Sequence, residues 1–582
     1  FLFIKIMELP NNPTISKWDK QNIYKNFKHP ISFCEEKSEL DPHIKTDLEL
    51  NCGTNPLYNN IFKPKTIAGK LVVNCWDKYY TKDKTFLKDT QKLIDRIEYE
   101  NNDCCDKMIE LYEEIQQDQN FLDKFNYIDW NYLEFLNSSS YFLCFLSIYN
   151  IFSPLVALCL PIILMIVPFF ILKIQGIPIT WGIYVQTLMV LLRNNVMGQL
   201  LMNFKNVGWD KRIYMIISCG MYFMQIYNNI LSCFRFNTNM KKIHHIFNIL
   251  KKYNNFTIIE IEKIEKICNK LSSYKEFTDI LSEKKKHLEQ INNEVKHIEQ
   301  YKWNVKEAMN LGIIMKQFYK LYKNENIQET LTFTFGFHGY LENIQQINNL
   351  IHSKEMHICK YNTKGKTTFT KSFYPLIENK SVTNDYNLNK NIIITGPNAS
   401  GKTTLLKTTM INIILSQQFG CGYYKKASID PYNKIHCYLN IPDTSGRDSL
   451  FQAEARRCKE ILEYVERNKN ERHFCAFDEL YSGTNPYEAV ATGVSYIEYL
   501  SHLKNVDLML TTHFIDLCNH LEKNKKIENK KMNINILENR EFEYLYKLSN
   551  GISEIKGGVK VLKDLQYPSS IVRRSMNILD IC

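Results

Sequence analysis

An eight-residue loop carries the residue types needed to hold the phosphates of a nucleotide. It runs Gly396-Pro397-Asn398-Ala399-Ser400-Gly401-Lys402-Thr403. Glycines let backbone N–H groups turn towards phosphate oxygens, the lysine reaches the β- and γ-phosphates, and the threonine hydroxyl can ligate Mg²⁺. We therefore predict that this loop, together with the following Thr404, binds ATP.

The segments on either side of the loop predict a strand and a helix. Asn391–Thr395 is a short apolar run typical of a buried parallel strand. Residues 404–418 place leucine, methionine and isoleucine at helical spacing, so the loop would open a helix whose N-terminus faces the anion. For the eight letters taken alone, an ordinary glycine-rich turn is the alternative interpretation.

Two further apolar runs end in residues suited to phosphate hydrolysis. The run from His473 ends in Asp478 and Glu479, and the run from Asp507 ends in His513. In ATPases with such a loop the aspartate orients Mg²⁺ and the glutamate polarises the attacking water, while a histidine can sense the γ-phosphate. We predict Glu479 and His513 as catalytic residues and Thr403 and Asp478 as Mg²⁺ ligands.

The composition describes a foldable chain with several domains. Its 582 residues are 45% hydrophobic and 23% charged, which excludes a disordered chain, and the length suits three or four domains. The net charge of +11 permits phosphate-rich partners or anionic membranes, but it is spread along the chain. The 17 cysteines show no paired zinc-type spacing, so we expect reduced thiols in a cytosolic setting. The first residues do not indicate a secretory signal peptide.

The middle of the chain predicts a membrane segment. No charged residue occurs from Tyr141 to Leu172, and Ser153–Leu172 is apolar over the length of a spanning helix. Three prolines in that run favour a kinked or re-entrant helix. A second uncharged run, Ile213–Phe234, would complete a transmembrane hairpin. A buried helical core and a monotopic hairpin are the alternatives, and basic residues between the two runs leave the topology open.

The region after the membrane segment predicts long, partly exposed helices. Lys251–Glu307 interleaves lysine and glutamate with apolar residues every three or four positions. Lys284–Lys286 could contact phosphates or form a solvated helix face.

Taken in order, these motifs resemble those of the MutS family of DNA mismatch-repair ATPases. The resemblance rests on Ile394–Thr403, on Asp478-Glu-Leu-Tyr-Ser-Gly-Thr484 and on Thr511-Thr-His-Phe514. Gly446–Glu454 is similar to the family's serine-containing signature with one residue inserted, and 546–573 to its last strand and helix. The match is dense over 373–582, and a fainter one at 47–76 resembles the opening of the family's helical core.

The resemblance implies a multidomain fold. A C-terminal α/β P-loop NTPase domain, similar to ABC ATPases, would follow an all-α core and lever region into which a transmembrane hairpin is inserted. The corresponding parts are an N-terminal tail (1–40), the start of the helical core (41–140), a membrane-spanning or re-entrant segment (141–235), a long-helix lever region (236–372) and the MutS-like ATPase domain (373–582).

For function, the resemblance implies a homodimer with two composite sites that use ATP and Mg²⁺. Ser449 of one protomer would approach the γ-phosphate bound by the other, and Asn485 would lie at the same interface. We expect an ATP-hydrolysing clamp, membrane-associated with its ATPase domain facing the cytoplasm, that binds DNA without mismatch recognition. The alternative is a membrane mechanochemical or scaffold ATPase without a nucleic-acid partner. A transporter subunit is disfavoured, because no L-S-G-G-Q motif is present.

The sequence departs from the family pattern in several places. Phe33-Cys34-Glu35 has the letters of the family's mismatch reader but not its surroundings. Leu450 replaces a signature threonine, Tyr481 replaces a glycine after the two acids, and Ser381–Asp385 lies where the family usually offers an aromatic side chain to adenine. We therefore expect the phosphate chemistry to be kept and the adenine contact to differ.

Overall fold

The computed structural model describes residues 25–178, 180–194, 208–299, 305–377, 381–439, 449–536, 542–555, 559, 562 and 565–579. The described residues form two compact units. Unit 1 comprises those within Phe1–Asp106, Ile259–Lys285 and Thr332–Cys582, and unit 2 those within Lys107–Ile258 and Lys286–Leu331. The five-part division expected from the sequence stays a prediction.

The helices and strands follow in chain order. The α-helices are α1 (Pro42–Asp47), α2 (Leu57–Phe62), α3 (Ile67–Val73), α4 (Lys84–Arg96), α5 (Asp103–Gln117), α6 (Phe121–Lys124), α7 (Ser140–Ile174), α8 (Trp181–Asn194), α9 (Trp209–Cys268), α10 (Lys275–Val295), α11 (Val305–Lys323), α12 (Glu325–His352), α13 (Lys402–Phe419), α14 (Leu450–Arg467), α15 (Pro486–His502), α16 (Ile515–Leu521) and α17 (Ser569–Leu579). The strands are β1 (Lys37–Glu39), β2 (Tyr79–Thr81), β3 (His357–Tyr361), β4 (Thr368–Ser372), β5 (Asn384–Asn387), β6 (Asn391–Thr395), β7 (Cys421–Gly422), β8 (Lys426–Ile429), β9 (Lys434–Tyr438), β10 (His473–Asp478), β11 (Val506–Thr512), β12 (Ile527–Ile536) and β13 (Phe542–Asn550).

A six-stranded sheet in unit 1 organises the predicted site. Its strand order is β13-β12-β6-β11-β10-β9, and every neighbouring pair is parallel except the β12–β13 hairpin. Strand β6 is buried along its whole length, as its apolar run predicts. The register pairs Thr395 of β6 with Thr512 of β11, and Thr511 with Asp478 of β10. Because parallel strands end at one edge, the loops after these three strands meet there.

A second sheet in unit 1 is mixed and has the strand order β5-β4-β8-β3-β7. Strands β3 and β8 are parallel, whereas the other neighbouring pairs are antiparallel. Its inner face buries Cys359, Phe369 and Tyr386. The Tyr386 hydroxyl lies 2.8 Å from that of Thr409, which ties this sheet to helix α13.

An N-terminal segment packs on helix α13 within the same unit. The Tyr58 hydroxyl donates to Gln418 Oε1 at 2.8 Å, and Gln418 Nε2 donates to the carbonyls of Trp76 at 2.7 Å and Tyr79 at 2.9 Å. The Trp76 ring lies 4.6 Å from that of Phe419. These contacts are buried, so the stretch that resembles the opening of a helical core shares a hydrophobic interior with the helix after the loop.

Unit 2 contains a long helix, α7, that runs through the three prolines without a break. Its first turn crosses α11 closely, because a Cβ on Gly312 would lie 2.0 Å from the Ser140 carbonyl oxygen. Tyr222 of α9 donates to the Ala157 carbonyl at 2.8 Å, and the Cys233 thiol contacts the Ile151 carbonyl at 3.6 Å. The later residue of α9, Cys233, contacts the earlier residue of α7, Ile151, so this part of α9 lies antiparallel to α7.

One stretch among the described residues is long and apolar enough to cross a membrane. It is Ser140–Cys159, with a mean hydropathy of 2.0 and few of its side chains buried. The second predicted span, Ile213–Phe234, does not reach this standard, because Gln225, Asn228 and Asn229 lower its hydropathy. The structure thus offers one candidate span where the sequence predicted a hairpin of two.

Candidate active site

The loop after β6 turns into helix α13 through a glycine that no other residue could replace without strain. Gly401 precedes the first helical residue, Lys402, and has a φ of 91°, in the left-handed region. A Cβ there would also lie 3.0 Å from the Tyr546 ring. This conformation places the helix N-terminus, with its unpaired N–H groups, towards the inside of the loop.

A buried hydroxyl in the loop indicates that the loop holds an anion. Ser400 Oγ is fully buried and has no hydrogen-bond partner within the described part of the chain. A Cβ on Gly396 would lie 2.7 Å from this oxygen, so the glycine keeps the space around it open. An unpaired buried hydroxyl is costly, and a phosphate oxygen in the loop would accept its hydrogen bond.

The side chain of Lys402 lies inside the loop and is 5% exposed. Its Nζ donates to the carbonyls of Gly396 at 2.9 Å and Pro397 at 3.4 Å. It also lies 3.8 Å from Glu479 Oε1. Burial lowers the pKa of Lys402, and the charges of Glu479 and Asp478 oppose that shift. The ammonium is therefore held where the β- and γ-phosphates of a nucleotide would lie.

Asp478 and Thr403 form an oxygen pair suited to Mg²⁺. The Thr403 hydroxyl donates to Asp478 Oδ2 at 2.8 Å, and the Thr511 hydroxyl donates to the other carboxylate oxygen. Burial raises the pKa of Asp478, and these two hydrogen bonds oppose the shift. The described residues contain no cluster of three or more His, Cys, Asp or Glu that could hold a metal. Phosphate oxygens and water would accordingly complete the coordination shell of Mg²⁺, as is usual for this ion.

Glu479 is held in an unusual backbone conformation at the end of β10. Its φ is 51°, and its N–H donates to the Thr511 carbonyl at 2.9 Å. His513 Nδ1 lies 3.7 Å from Glu479 Oε1. The interaction with His513 lowers the pKa of Glu479, and the charge of Lys402 acts in the same direction. Glu479 is thus an ionised, half-exposed carboxylate beside the phosphate-binding lysine, as a general base requires.

A cavity of about 660 Å³ opens from the loop and is large enough for a nucleotide. Residues 398–404 and Glu479 are part of its lining. The lining also includes apolar and aromatic side chains, as a base-binding pocket would: Phe373, Tyr374, Ile377, Val382 and Tyr546. Sequence reasoning placed the adenine contact near 381–385 but missed the aromatic residues. Phe373-Tyr374, directly after β4, was the signal that could have indicated them.

Ser449 and Asn485 lie at the starts of two helices. Ser449 is the N-cap of α14, with Oγ accepting from the Gln452 N–H at 3.3 Å, and Asn485 is the N-cap of α15, accepting from the Glu488 N–H at 3.0 Å. Neither residue lines the cavity of its own chain. This placement suits residues that act on another protomer, and that role stays a prediction. The signature residues 446–448 lie outside the described part of the chain.

Comparison with known proteins bears on the same region. The sequence model of MutS domain V matches residues 392–581. The DNA mismatch repair protein MutS of Bacteroides fragilis is 32% identical over 178 residues, which are 30% of this chain and 20% of that protein. The proteins of the same name from Parabacteroides distasonis (33% over 172 residues; 29% and 19%) and Persephonella marina (28% over 175 residues; 30% and 20%) are also similar.

Residues 392–581 belong to the MutS family.

The family resemblance read from the motifs is therefore confirmed for this MutS domain V, as is an α/β fold with mixed sheets. The chain spans about a fifth of the length of the curated relatives it matches. Within the MutS domain V, the structure brings together Lys402, Thr403, Asp478, Glu479 and His513 from three strand ends. It leaves Ser449 and Asn485 outside that cluster.

Proposed function

We propose that this chain binds and hydrolyses ATP at the cavity of its MutS domain V. The convergence of Lys402, Thr403, Asp478 and Glu479 at one sheet edge carries the proposal. The buried, unpaired Ser400 hydroxyl supports a phosphate in the loop. The apolar part of the cavity lining, with Tyr374 among its residues, suits a flat aromatic base.

The residues divide the chemistry of hydrolysis among themselves. The backbone of the loop and Lys402 bind the phosphates and stabilise the charge that builds up on them. Thr403 and Asp478 would hold Mg²⁺, which when bound would neutralise phosphate charge. Glu479 accepts a proton from the attacking water, and His513 keeps that carboxylate ionised and oriented.

We further propose that the chain works as a homodimer in which ATP closes the interface. The helix N-termini capped by Ser449 and Asn485 are the surfaces that would meet the partner's nucleotide. A neutral hydroxyl at a helix start is a suitable donor to a γ-phosphate. The interface would close with ATP bound and open after hydrolysis.

The ligand we propose for this clamp is DNA, bound without mismatch recognition. The relatives' shared name, DNA mismatch repair protein MutS, supports a nucleic-acid partner. A triplet with the letters of a mismatch reader begins at Phe33, at the end of a short 3-10 turn, and the Phe33 ring lies 6.5 Å from that of Phe277. A side chain packed in this way is poorly placed to insert into a duplex.

Duplex or branched DNA should stimulate ATP turnover of the detergent-solubilised chain. Contacts to DNA phosphates release counterions, so the stimulation should fade steeply between about 50 and 200 mM salt. Steady-state phosphate release with and without DNA, at several salt concentrations, measures this effect. Glu479→Gln serves as the blank for contaminating ATPases. Turnover that ignores DNA at every salt concentration would exclude the clamp.

We also propose that unit 2 attaches the chain to a membrane, with the ATPase domain on the cytoplasmic side where ATP is present. Helix α7 carries an exposed apolar surface that includes Phe152, Leu155 and Leu158. A chain with so large an apolar surface needs lipid or a partner to cover it. Exposed aromatic residues lie before this stretch, at its start and after it, as at membrane interfaces: Trp130, Tyr132, Tyr141, Trp181 and Trp209.

Membrane insertion predicts that the full chain floats with liposomes in high salt. Ile148→Lys with Phe152→Lys should abolish flotation, because both exposed residues lie near the middle of Ser140–Cys159 and each lysine at the centre of a span costs about 3 kcal/mol. ATP turnover in detergent should be unchanged. The matched control is Ile259→Lys with Ile358→Lys, two exposed isoleucines outside α7's apolar surface, which should still float. Flotation that high salt removes would indicate surface adsorption instead.

The exposed apolar surface of α7 also favours a second candidate function, a membrane mechanochemical or scaffold ATPase without a nucleic-acid partner. Attachment to a membrane accounts for this surface without any DNA ligand. Turnover that responds to lipid vesicles and not to DNA would select it.

A further inference from the structure

A buried glutamate joins helix α14 to the loop that follows the catalytic carboxylates. Glu454, in the second turn of α14, is 3% exposed. One carboxylate oxygen accepts from the Ser482 hydroxyl at 3.0 Å, and the other accepts from the Gly483 N–H at 3.2 Å. A buried carboxylate is retained only with such partners, so these hydrogen bonds fix the loop to the helix.

The loop and the start of α14 also approach each other closely. A Cβ on Gly483 would lie 2.7 Å from Leu450 Cγ and 2.9 Å from the Phe451 nitrogen, so only glycine fits there. The Tyr481 ring is buried and lies 5.7 Å from that of Phe451. Leu450 and Tyr481, two departures from the family pattern, therefore lie in one interface between loop and helix.

The backbone of this loop is strained and needs external support. Glu479 and Tyr481 have φ values of 51° and 58°, in the left-handed region that side chains disfavour. Such conformations persist only where surrounding contacts impose them. Glu454 provides two of those contacts, three and four residues after Glu479.

The same helix begins at Ser449. Its Oγ accepts from the Gln452 N–H at 3.3 Å, while the Gln452 side chain accepts from the Ser449 N–H at 3.0 Å. Because Oγ acts as an acceptor in this capping box, its O–H is left to donate to a ligand. A short rigid path thus runs from Ser449 along α14 to Glu454 and on to the loop of Glu479.

We propose that Glu454 is a positioning residue that links Ser449 to Glu479 of the same protomer. When Ser449 engages the nucleotide of the partner protomer, α14 and the loop move together, and Glu479 is aligned at its own site. This inference rests on the proposed dimeric ATPase and adds the contact by which one site controls the other. Glu454 itself does not line the cavity that would hold the nucleotide.

Glu454→Gln in the full chain tests this role. A hydrogen bond to a charged group contributes a free energy equivalent to a factor of about 10 to 100. If that energy aligns Glu479, its loss should lower kcat by about the same factor. Binding of a fluorescent ATP analogue should stay within about twofold of wild type, since the P-loop is untouched. Ser482→Ala, which removes one donor, should lower kcat by a smaller factor in the same way. It also supplies the test if Glu454→Gln does not fold.

The control and the double variants separate positioning from a general loss of structure. Glu463→Gln changes a half-exposed carboxylate on the same helix that pairs with Lys459 and Arg467, and its kcat should be unchanged. Because Glu454 acts through Ser449, adding Glu454→Gln to Ser449→Ala should lower kcat by less than about threefold further. Additive losses, accompanied by a lower melting temperature, would assign Glu454 a structural role only.

Two different failures can be told apart. If Glu479→Gln is as active as wild type, the proposed ATPase is wrong, and the positioning role of Glu454, which rests on it, is wrong as well. If Glu479→Gln is inactive but Glu454→Gln and Ser482→Ala both keep wild-type kcat, the ATPase stands and the positioning role of Glu454 is wrong.

Discussion

Glu479→Gln is expected to lower ATP turnover by about 10²–10⁴-fold, the usual contribution of a general base, while ATP binding is retained. The amide keeps the shape of the side chain but cannot accept a proton from water. The carboxylate lies 3.8 Å from Lys402 Nζ and 3.7 Å from His513 Nδ1, so it lines the cavity beside the phosphate-binding lysine. Single-turnover phosphate release and binding of a fluorescent ATP analogue measure the two effects separately.

The pH profile gives an independent check on Glu479. A base works only when it is ionised, and the interaction with His513 lowers the pKa of Glu479. The acid limb of the wild-type profile should therefore lie below the usual glutamate range, and His513→Ala should move that limb to higher pH. The control is Glu522→Gln, which changes an exposed carboxylate of the same domain and should hydrolyse ATP at the wild-type rate. Wild-type turnover by Glu479→Gln would remove this residue from catalysis.

The core of the site could be predicted from the sequence because it depends on short segments with strong local rules. A glycine loop between a buried strand and a helix, and an acidic pair at a strand end, each follow from a few consecutive residues. The parallel sheet then brings Thr403 to Asp478, as two motifs of one site require. Spacing alone did not give the strand order, which places β11 between β6 and β10.

The parts that were missed depend on contacts between distant segments. The base pocket joins Phe373 and Tyr374 to Tyr546, which lies on the β13 hairpin strand far along the chain. Glu454 looks like an ordinary helix glutamate until its hydrogen bonds to Ser482 and Gly483 are seen. Spacing alone gives neither arrangement, because each joins segments that lie far apart in the chain.

The apolar middle of the chain was predicted in part. Local composition identified α7, but the prolines, which favour a break in isolation, are accommodated in one helix that packs on α9 and α11. The polar residues of Ile213–Phe234 lower its hydropathy below that of a membrane span. This segment is instead part of helix α9, which forms a hydrogen bond with α7.

Lys402→Ala should have the opposite signature to Glu479→Gln and weaken nucleotide binding itself. Its ammonium is buried in the loop and bonded to two carbonyls, so it is desolvated before any phosphate arrives. Removing one partner of a buried charged pair costs about 2–5 kcal/mol, which corresponds to a loss of about 30- to 4,000-fold in ATP affinity. Titration of the fluorescent ATP analogue measures this loss directly.

The control lies on the same helix. Lys407→Ala removes an equal charge from α13 at a position that does not line the cavity, so its ATP affinity should stay within about twofold of wild type. Equal losses in both variants would mean that general charge, rather than a built phosphate site, attracts the nucleotide. If Lys402→Ala alone loses affinity and Glu479→Gln alone keeps affinity without turnover, binding and chemistry are assigned to separate side chains 3.8 Å apart. In the proposed dimer, that separation would let ATP hold the two protomers closed before hydrolysis opens them.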